Sequence, residues 1–356
     1  TEVPSVGILM MENLGKENEE FWSSGMTADL ITKVAGAGLI RVAPLKDISN
    51  IDSNLSIEEI AKKLRVKYIL THSFLIKDDG FDLWCKLENI ENGVALFSNK
   101  ISEPMNMATQ MVGKLANDIV TSLTVKTKQN IMAAPTTNSE AYELYLKAKY
   151  TWNPNQIEEE KETIRRQLRK SIELDNNLYE SKILLGWTYM HQPSENIDEH
   201  QKQLSKARNI YKELLEDAQK LDNKLWQATA LLNMATAYHL GLEYNIALDY
   251  YLRSLLISEE IGDKKGMASS ISHLAVMYYD KWGLKHGGAN YIERDIDNAL
   301  YYNERALAIA EEVGEKQTMA FSNEKICKIY EDKGDSEKAQ LYCKRAQALR
   351  EELGQY

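Results

Sequence analysis

The side chains best suited to chemistry in this chain are few, and their spacing argues against most reactions. His191, Glu195, Asp198, Glu199 and His200 offer imidazole and carboxylate groups close together in sequence. A zinc site needs ligands whose spacing lets them converge. This cluster is irregular and falls in an insert, so it reads as a solvated loop. Gly36-Ala37-Gly38 has Arg41 where a third phosphate-cradling glycine would stand, and it follows a helical pattern instead of a strand. Walker and GxSxG sequences are absent. Cys85, Cys327 and Cys343 show no CxxC spacing and are too few for a disulfide scaffold. Cys327 and Cys343 occupy small-residue packing positions and read as buried, inert thiols, not as a redox pair. No catalytic residue, no cofactor and no metal ion is expected.

The bulk properties point the same way. The 356 residues suffice for two or three domains with a sizeable core. Apolar residues at 44% and charged residues at 27% describe a globular chain, not a disordered one. Lys plus Arg total 43 against 53 Asp plus Glu, a net charge of -10 with no basic cluster, which disfavours nucleic acid as a partner. No apolar run approaches the ~18 residues of a membrane span. The chain opens at Thr1 with a strand-like segment and no signal peptide. It is expected to be the rear portion of a longer protein, cytoplasmic unless a membrane span precedes Thr1.

The elements that must position any site fall into two textures. Up to residue 128, strand-like and helix-like segments alternate. Ser5 to Met11 is an apolar run typical of a strand covered on both faces. Phe21 to Ala35 has helical spacing, Leu39 to Val42 reads as a strand, and Ser56 with Glu59 opens a helix as a capping box. A strand over Tyr68 to Phe74 leads into a hairpin, Phe81 to Glu88 and Val94 to Ile101, turned at Glu91-Asn92-Gly93. Met105 to Leu123 closes the unit as a helix. The expected order is β-α-β-α-β-β-β-α, an α/β sandwich. Residues 129–138, with Pro135, read as a linker, and everything over 139–356 as helical.

That helical half repeats. Ala207, Ala247, Ala299 and Ala339 each have a partner four residues on, Tyr211, Tyr251, Asn303 and Cys343. Ahead of each stands a tyrosine (Tyr189, Tyr238, Tyr278, Tyr330), and three residues before that a small residue (Gly186, Ala235, Ala275, Cys327). Small residues there let two antiparallel helices approach. The pattern matches the tetratricopeptide repeat, a helix-turn-helix unit of helices A and B. About five repeats are expected, the first a degenerate one over residues 140–176, in an all-α superhelix.

The amino-terminal half resembles the TolB amino-terminal-like domain. The resemblance rests on Val6-Gly7-Ile8-Leu9 with Glu12-Asn13-Leu14, on Phe21 with Gly25-Met26-Thr27-Ala28-Asp29-Leu30-Ile31, on residues 57–71 and on the hairpin over residues 88–98. Pro135-Thr136-Thr137-Asn138-Ser139-Glu140-Ala141-Tyr142 looks like the junction through which that family enters its repeats. The sequence departs from the family at Met11, at Gly15 to Asn18 and at Ser24. The resemblance implies a regulatory region attached to an output domain, most similar to that of bacterial adenylate or guanylate cyclases. A kinase, a winged-helix regulator or a free-standing envelope-associated scaffold are the alternatives.

What remains for this chain is recognition. Trp152 and Trp226 read as helix packing, whereas Trp187 falls on the side of helix A that lines the concave groove of such repeats. Its groove neighbours by repeat position are Ile183 and Met190, then Leu232, Thr236 and His239, then Ser272, Val276 and Tyr279. The last repeat contributes Glu324, Lys328 and Glu331. Tetratricopeptide domains that hold a C-terminal carboxylate use Lys, Asn and Arg here. The apolar and aromatic middle of this groove suits an apolar helix or extended peptide instead. Either a protein partner fills it, or the chain's own first domain or a second copy closes it. The insert over residues 281–294 carries Trp282, Lys285, His286 and Tyr291. It is either a contact loop or merely a long connection.

Overall fold

The structure is a computed structural model that describes residues 3–37, 40–52, 54–78, 80–123, 136–191, 196–284, 292–313 and 316–352. The chain divides into two compact units, Thr1–Ser181 and Lys182–Tyr356.

In the first unit the opening apolar run forms a strand only over Ser5–Ile8 (β1). The strand expected as far as Met11 stops early because side chains take over its backbone. The Met11 N–H donates to Thr27 Oγ1 at 3.1 Å, and Ser23 Oγ donates to the Met11 carbonyl. Both side chains stand on Glu20–Gly36 (α1). Glu12–Asn13 (β2), Arg41–Val42 (β3), Leu45–Ser49 (α2) and Ile57–Leu64 (α3) complete this stretch. β2 and α2 add to the expected order, both too short to carry a readable period. The capping box of α3 forms as spelled: Ser56 Oγ accepts from the Glu59 N–H at 3.2 Å, and the Glu59 carboxylate accepts from the Ser56 N–H at 2.8 Å.

A meander follows, Tyr68–Lys77 (β4), Gly80–Asn89 (β5) and Val94–Pro104 (β6), closed by Ala108–Ser122 (α4). At the β5–β6 turn Gly93 takes a φ of 68° and the Asn92 side chain accepts from the Val94 N–H. The sheet order is β3-β1-β4-β5-β6, with β2 pairing β4. β1 runs parallel to β3 and β4, and the β4–β5 and β5–β6 pairs are antiparallel. Trp22 of α1 is buried, edge-on to Phe81 of β5 at 5.6 Å, and Phe81 stacks on Phe74 of β4.

The first helix pair, Ser139–Thr151 (α5) and Glu158–Leu174 (α6), belongs to this unit. α5 approaches α1 so closely that a Cβ on Gly25 would overlap Leu146. Tyr142 brings its ring to 5.9 Å from Trp22, and its hydroxyl donates to Asp29. The other Asp29 oxygen holds Lys149 Nζ at 3.2 Å. Burial beside this cluster pushes the Glu180 carboxyl up to about 7, with Asp29 adding to the rise.

The remaining helices are Tyr179–Met190 (α7), Ile197–Lys220 (α8), Lys224–Leu240 (α9), Tyr244–Ile261 (α10), Lys264–Leu284 (α11), Ile292–Val313 (α12), Lys316–Asp332 (α13) and Ser336–Glu352 (α14). With α5 and α6 they make five helix pairs, an all-α tetratricopeptide-type array behind an α/β domain. The expected register is seen in its core: Ala207, Ala247, Ala299 and Ala339 are all buried, as are Gly186, Ala235, Ala275 and Cys327. In the second pair a Cβ on Gly186 would collide with the Tyr211 ring, whose hydroxyl donates to the Ile183 carbonyl at 3.3 Å. Tyr238 stacks on Tyr250 at 5.5 Å, Tyr278 on Tyr302 at 5.6 Å and Tyr330 on Tyr342 at 5.8 Å, one geometry repeated. The degenerate first pair obeys the same rules. Ser171 Oγ donates to the Ala141 carbonyl and meets Ser181, as Ser254 bonds the Ala228 carbonyl and meets Ser270.

Two outcomes test this packing. Gly186→Ala should lower stability in urea by ~1–3 kcal/mol, the cost of overpacking, despite alanine's better helix propensity. Adding Tyr211→Leu should recover most of that loss, and a Gly186→Ala variant as stable as wild type would sink the close-approach account. The second concerns His72, whose Nε2 lies 2.7 Å from the Leu9 carbonyl and whose imidazole burial pushes down to about 4. The unfolded chain takes up this proton near 6.5 and the folded chain only near 4, so stability falls as pH drops through that window. The loss should be about 3 kcal/mol. Glu180 titrates in the opposite sense, so the quantity to measure is the difference between wild type and His72→Gln.

Candidate protein-binding face of the repeats

The face expected to bind is built from the A helices of successive pairs, α7, α9, α11 and α13. Helical periodicity brings residues three and four apart onto one side. Ile183, Leu232, Thr236, Ser272, Val276 and Tyr279 are half-buried, while Trp187 is 42% exposed. Met190 and His239 are buried. They support the face from behind rather than present surface to a partner.

Polar bonds between neighbouring A helices tie this face together. Trp187 Nε1 donates to Asn233 Oδ1 at 2.6 Å, joining α7 to α9, while the indole stacks on His191 at 5.3 Å. His239 Nε2 lies 3.1 Å from Asp280 Oδ2, joining α9 to α11. The Tyr279 hydroxyl donates to Asp332 at 2.8 Å, joining α11 to α13. His239 and Tyr279 each stand one residue after the repeat tyrosine, and Asp280 and Asp332 each two after it. The last two bonds are therefore one interaction made twice. Behind them Tyr251 donates to Thr236 at 3.2 Å and lies 5.7 Å from His273, whose imidazole burial pushes down. The far end is more acidic. Burial raises the Tyr279 hydroxyl's pKa, and Asp332, Asp280 and Glu331 raise it further.

Sequence reasoning named Trp187, His239 and Tyr279 but missed their acceptors Asn233, Asp280 and Asp332. For Asp280 and Asp332 the signal was present, as a carboxylate two places past the tyrosine in consecutive repeats; Asn233 left none. Lys285, His286 and Tyr291 of the insert, and the side chain of Trp282, lie outside the described residues.

Three residue clusters settle differently from expectation or add to it. Residues 197–200, read as loop, begin α8, because Asn196 caps it by accepting from the Asp198 and Glu199 N–H groups. Cys327 and Cys343, read as inert thiols, are joined by a disulfide with their Cα atoms 5.2 Å apart. The small-residue site on helix A faces the residue four past the repeat alanine on helix B, and here both are cysteine. Among the described residues, Cys327, Glu331 and Cys343 are the one group whose ligand atoms converge. Sulfurs committed to a disulfide are not thiolates, so this trio is no metal centre in the oxidised state.

No protein-family model matches the chain, and no curated protein matches it. Among solved structures it is similar to TolB from Acinetobacter baumannii, at 15% identity over 35% of this chain with a TM-score of 0.28. The chain spans 29% of that TolB. BtubC from P. vanneervenii is 17% identical, over 61% of this chain and 89% of its own, with a TM-score of 0.38. MamA is 20% identical, over 56% of this chain and 93% of its own, with a TM-score of 0.35. Likeness at this level transfers no residue role.

The cross-helix bond is testable alone. Tyr279→Phe should destabilise by about 1 kcal/mol, and a double-mutant cycle with Asp332→Asn should return most of that as coupling. Additive losses in denaturant melts would remove the bond from the account.

Proposed function

We propose that this chain is a non-catalytic protein-interaction module that binds a protein or peptide along the A-helix face of its repeats. The observation that carries the reading is Trp187. Its ring is 42% exposed yet held from behind by the bond to Asn233. An aromatic side chain oriented before anything binds loses little entropy on association and suits an anchoring role. Ile183, Leu232, Val276 and Tyr279 extend an apolar and aromatic strip beside the polar bonds, the surface an amphipathic helix or extended peptide covers.

For the whole protein, the sequence resemblance supports a regulatory region attached to a nucleotide cyclase. Cyclases of this type work as dimers, so partner binding or pairing of two copies would reset the geometry of the catalytic interface. One observation favours the second reading, a free-standing scaffold associated with the envelope. The Cys327–Cys343 disulfide suits an oxidising compartment. A metal-binding cyclase domain encoded ahead of Thr1 would support the first reading, and a lipoprotein segment the second.

Trp187→Ala should weaken association with a captured partner by more than ~1 kcal/mol in titration calorimetry. Its circular dichroism melt should shift less than that of Ala247→Leu, which crowds a fully buried contact. If Trp187→Ala unfolds the protein as badly as Ala247→Leu, the ring belongs to the core and the binding face lies elsewhere.

A further inference from the structure

We propose that the Cys327–Cys343 disulfide is a thiol–disulfide exchange site, substrate for small or protein dithiols, and that its state decides whether α14 stays docked on α13. The argument starts from the point where helices A and B cross. In the second pair Gly186 meets the Tyr211 ring, and in the third Ala235 shares a core cluster with Tyr251. In the last pair both positions are cysteine, so neither side supplies a ring and the disulfide stands in its place.

Apart from this bond, α14 buries few side chains of its own. Among its described residues Ala339 and Ala346 are buried, while Leu341 is 48% exposed. By contrast, α10 buries Ala247, Tyr251, Ser254, Leu255 and Ser258. Its ties to the rest of the array include Ala339 packed with Leu307, Ile326 and Tyr330, the Tyr342 stack on Tyr330, Lys338 over the Tyr330 ring at 5.0 Å, and the Arg350 guanidinium, which donates to both Glu324 oxygens at 2.5 and 2.8 Å. Both sulfurs line an open cleft with Glu324, Lys328 and Glu331, which gives a reductant a route to them. The remaining cysteine, Cys85, is buried in the sheet of the first unit, and burial pushes its thiol up to about 11, too weak a nucleophile to compete.

The exchange is balanced. A thiolate of the dithiol attacks one sulfur, the S–S bond breaks and a mixed disulfide forms. The second thiol of the reductant displaces it and leaves as a cyclic or intramolecular disulfide. The two electrons and two protons lost by the dithiol end on Cys327 and Cys343 as thiols.

Alkylation of the denatured full chain, read by intact mass, tests the bond. Of the three cysteines, only Cys85 should be labelled without reductant, and all three after dithiothreitol. Hydrogen exchange of the native chain tests the consequence. Reduction should speed exchange over residues 336–352 by about tenfold or more and leave α9 and α10 unchanged. Cys343→Ser should reproduce the reduced state without reductant. Cys327→Ala with Cys343→Tyr copies the Ala235–Tyr251 contact and should return slow exchange that dithiothreitol no longer alters. Labelling of all three cysteines under oxidising conditions, or unchanged α14 exchange after reduction, would overturn the proposal.

Discussion

The repeat array depends on one steric condition: where helices A and B of a pair cross, one side must yield room for the other. Gly186 yields it to Tyr211, and Ala235 to Tyr251. Once that contact is fixed, the helix period sets the rest. Three residues past the small residue comes the tyrosine, and three past the buried alanine its stacking partner in the last three pairs. Interiors packed at crystal-like density give little slack, so a single crossing point determines the rotation of both helices. That rotation decides which side chains of α7, α9, α11 and α13 look outward, Trp187 among them.

The contribution of the sequence follows from the same physics. Contacts within one helix pair leave a short period in the chain, which is why the alanines, the tyrosines and the small residues are readable without a structure. The Asn92-Gly93 turn and the Ser56–Glu59 box are readable for a like reason, since each is a local solution to a local backbone demand. Contacts between elements far apart in sequence leave no such trace. Nothing periodic says that Ser23 and Thr27 end β1, that Tyr142 donates to Asp29, or that Trp187 donates to Asn233. The disulfide lies between these cases. Both cysteines stood at recognisable packing positions, but that the two positions face each other needed the register of helix against helix.

The α/β domain and the first helix pair share a core. Gly25 admits Leu146, Trp22 meets Tyr142, and Asp29 gathers Tyr142 and Lys149. Removing one member of this partly buried group leaves its partners short of a bond, which costs stability. The pair α5–α6 therefore behaves as part of the domain it follows, although its Ser171 and Ser181 obey the rules of the repeats.

The bonds between A helices carry one more implication, for how such a chain changes over generations. His239 and Asp280 are separated by 41 residues and Tyr279 and Asp332 by 53, yet the same positions of the repeat make both. Register is thus stored in the helices and not in the connections between them. Loop closure grows costlier only slowly with length, by about 0.6 kcal/mol per doubling. Insertions between helices are consequently close to neutral for the array, and selection is free to lengthen, shorten or rewrite them while the face they border keeps its alignment.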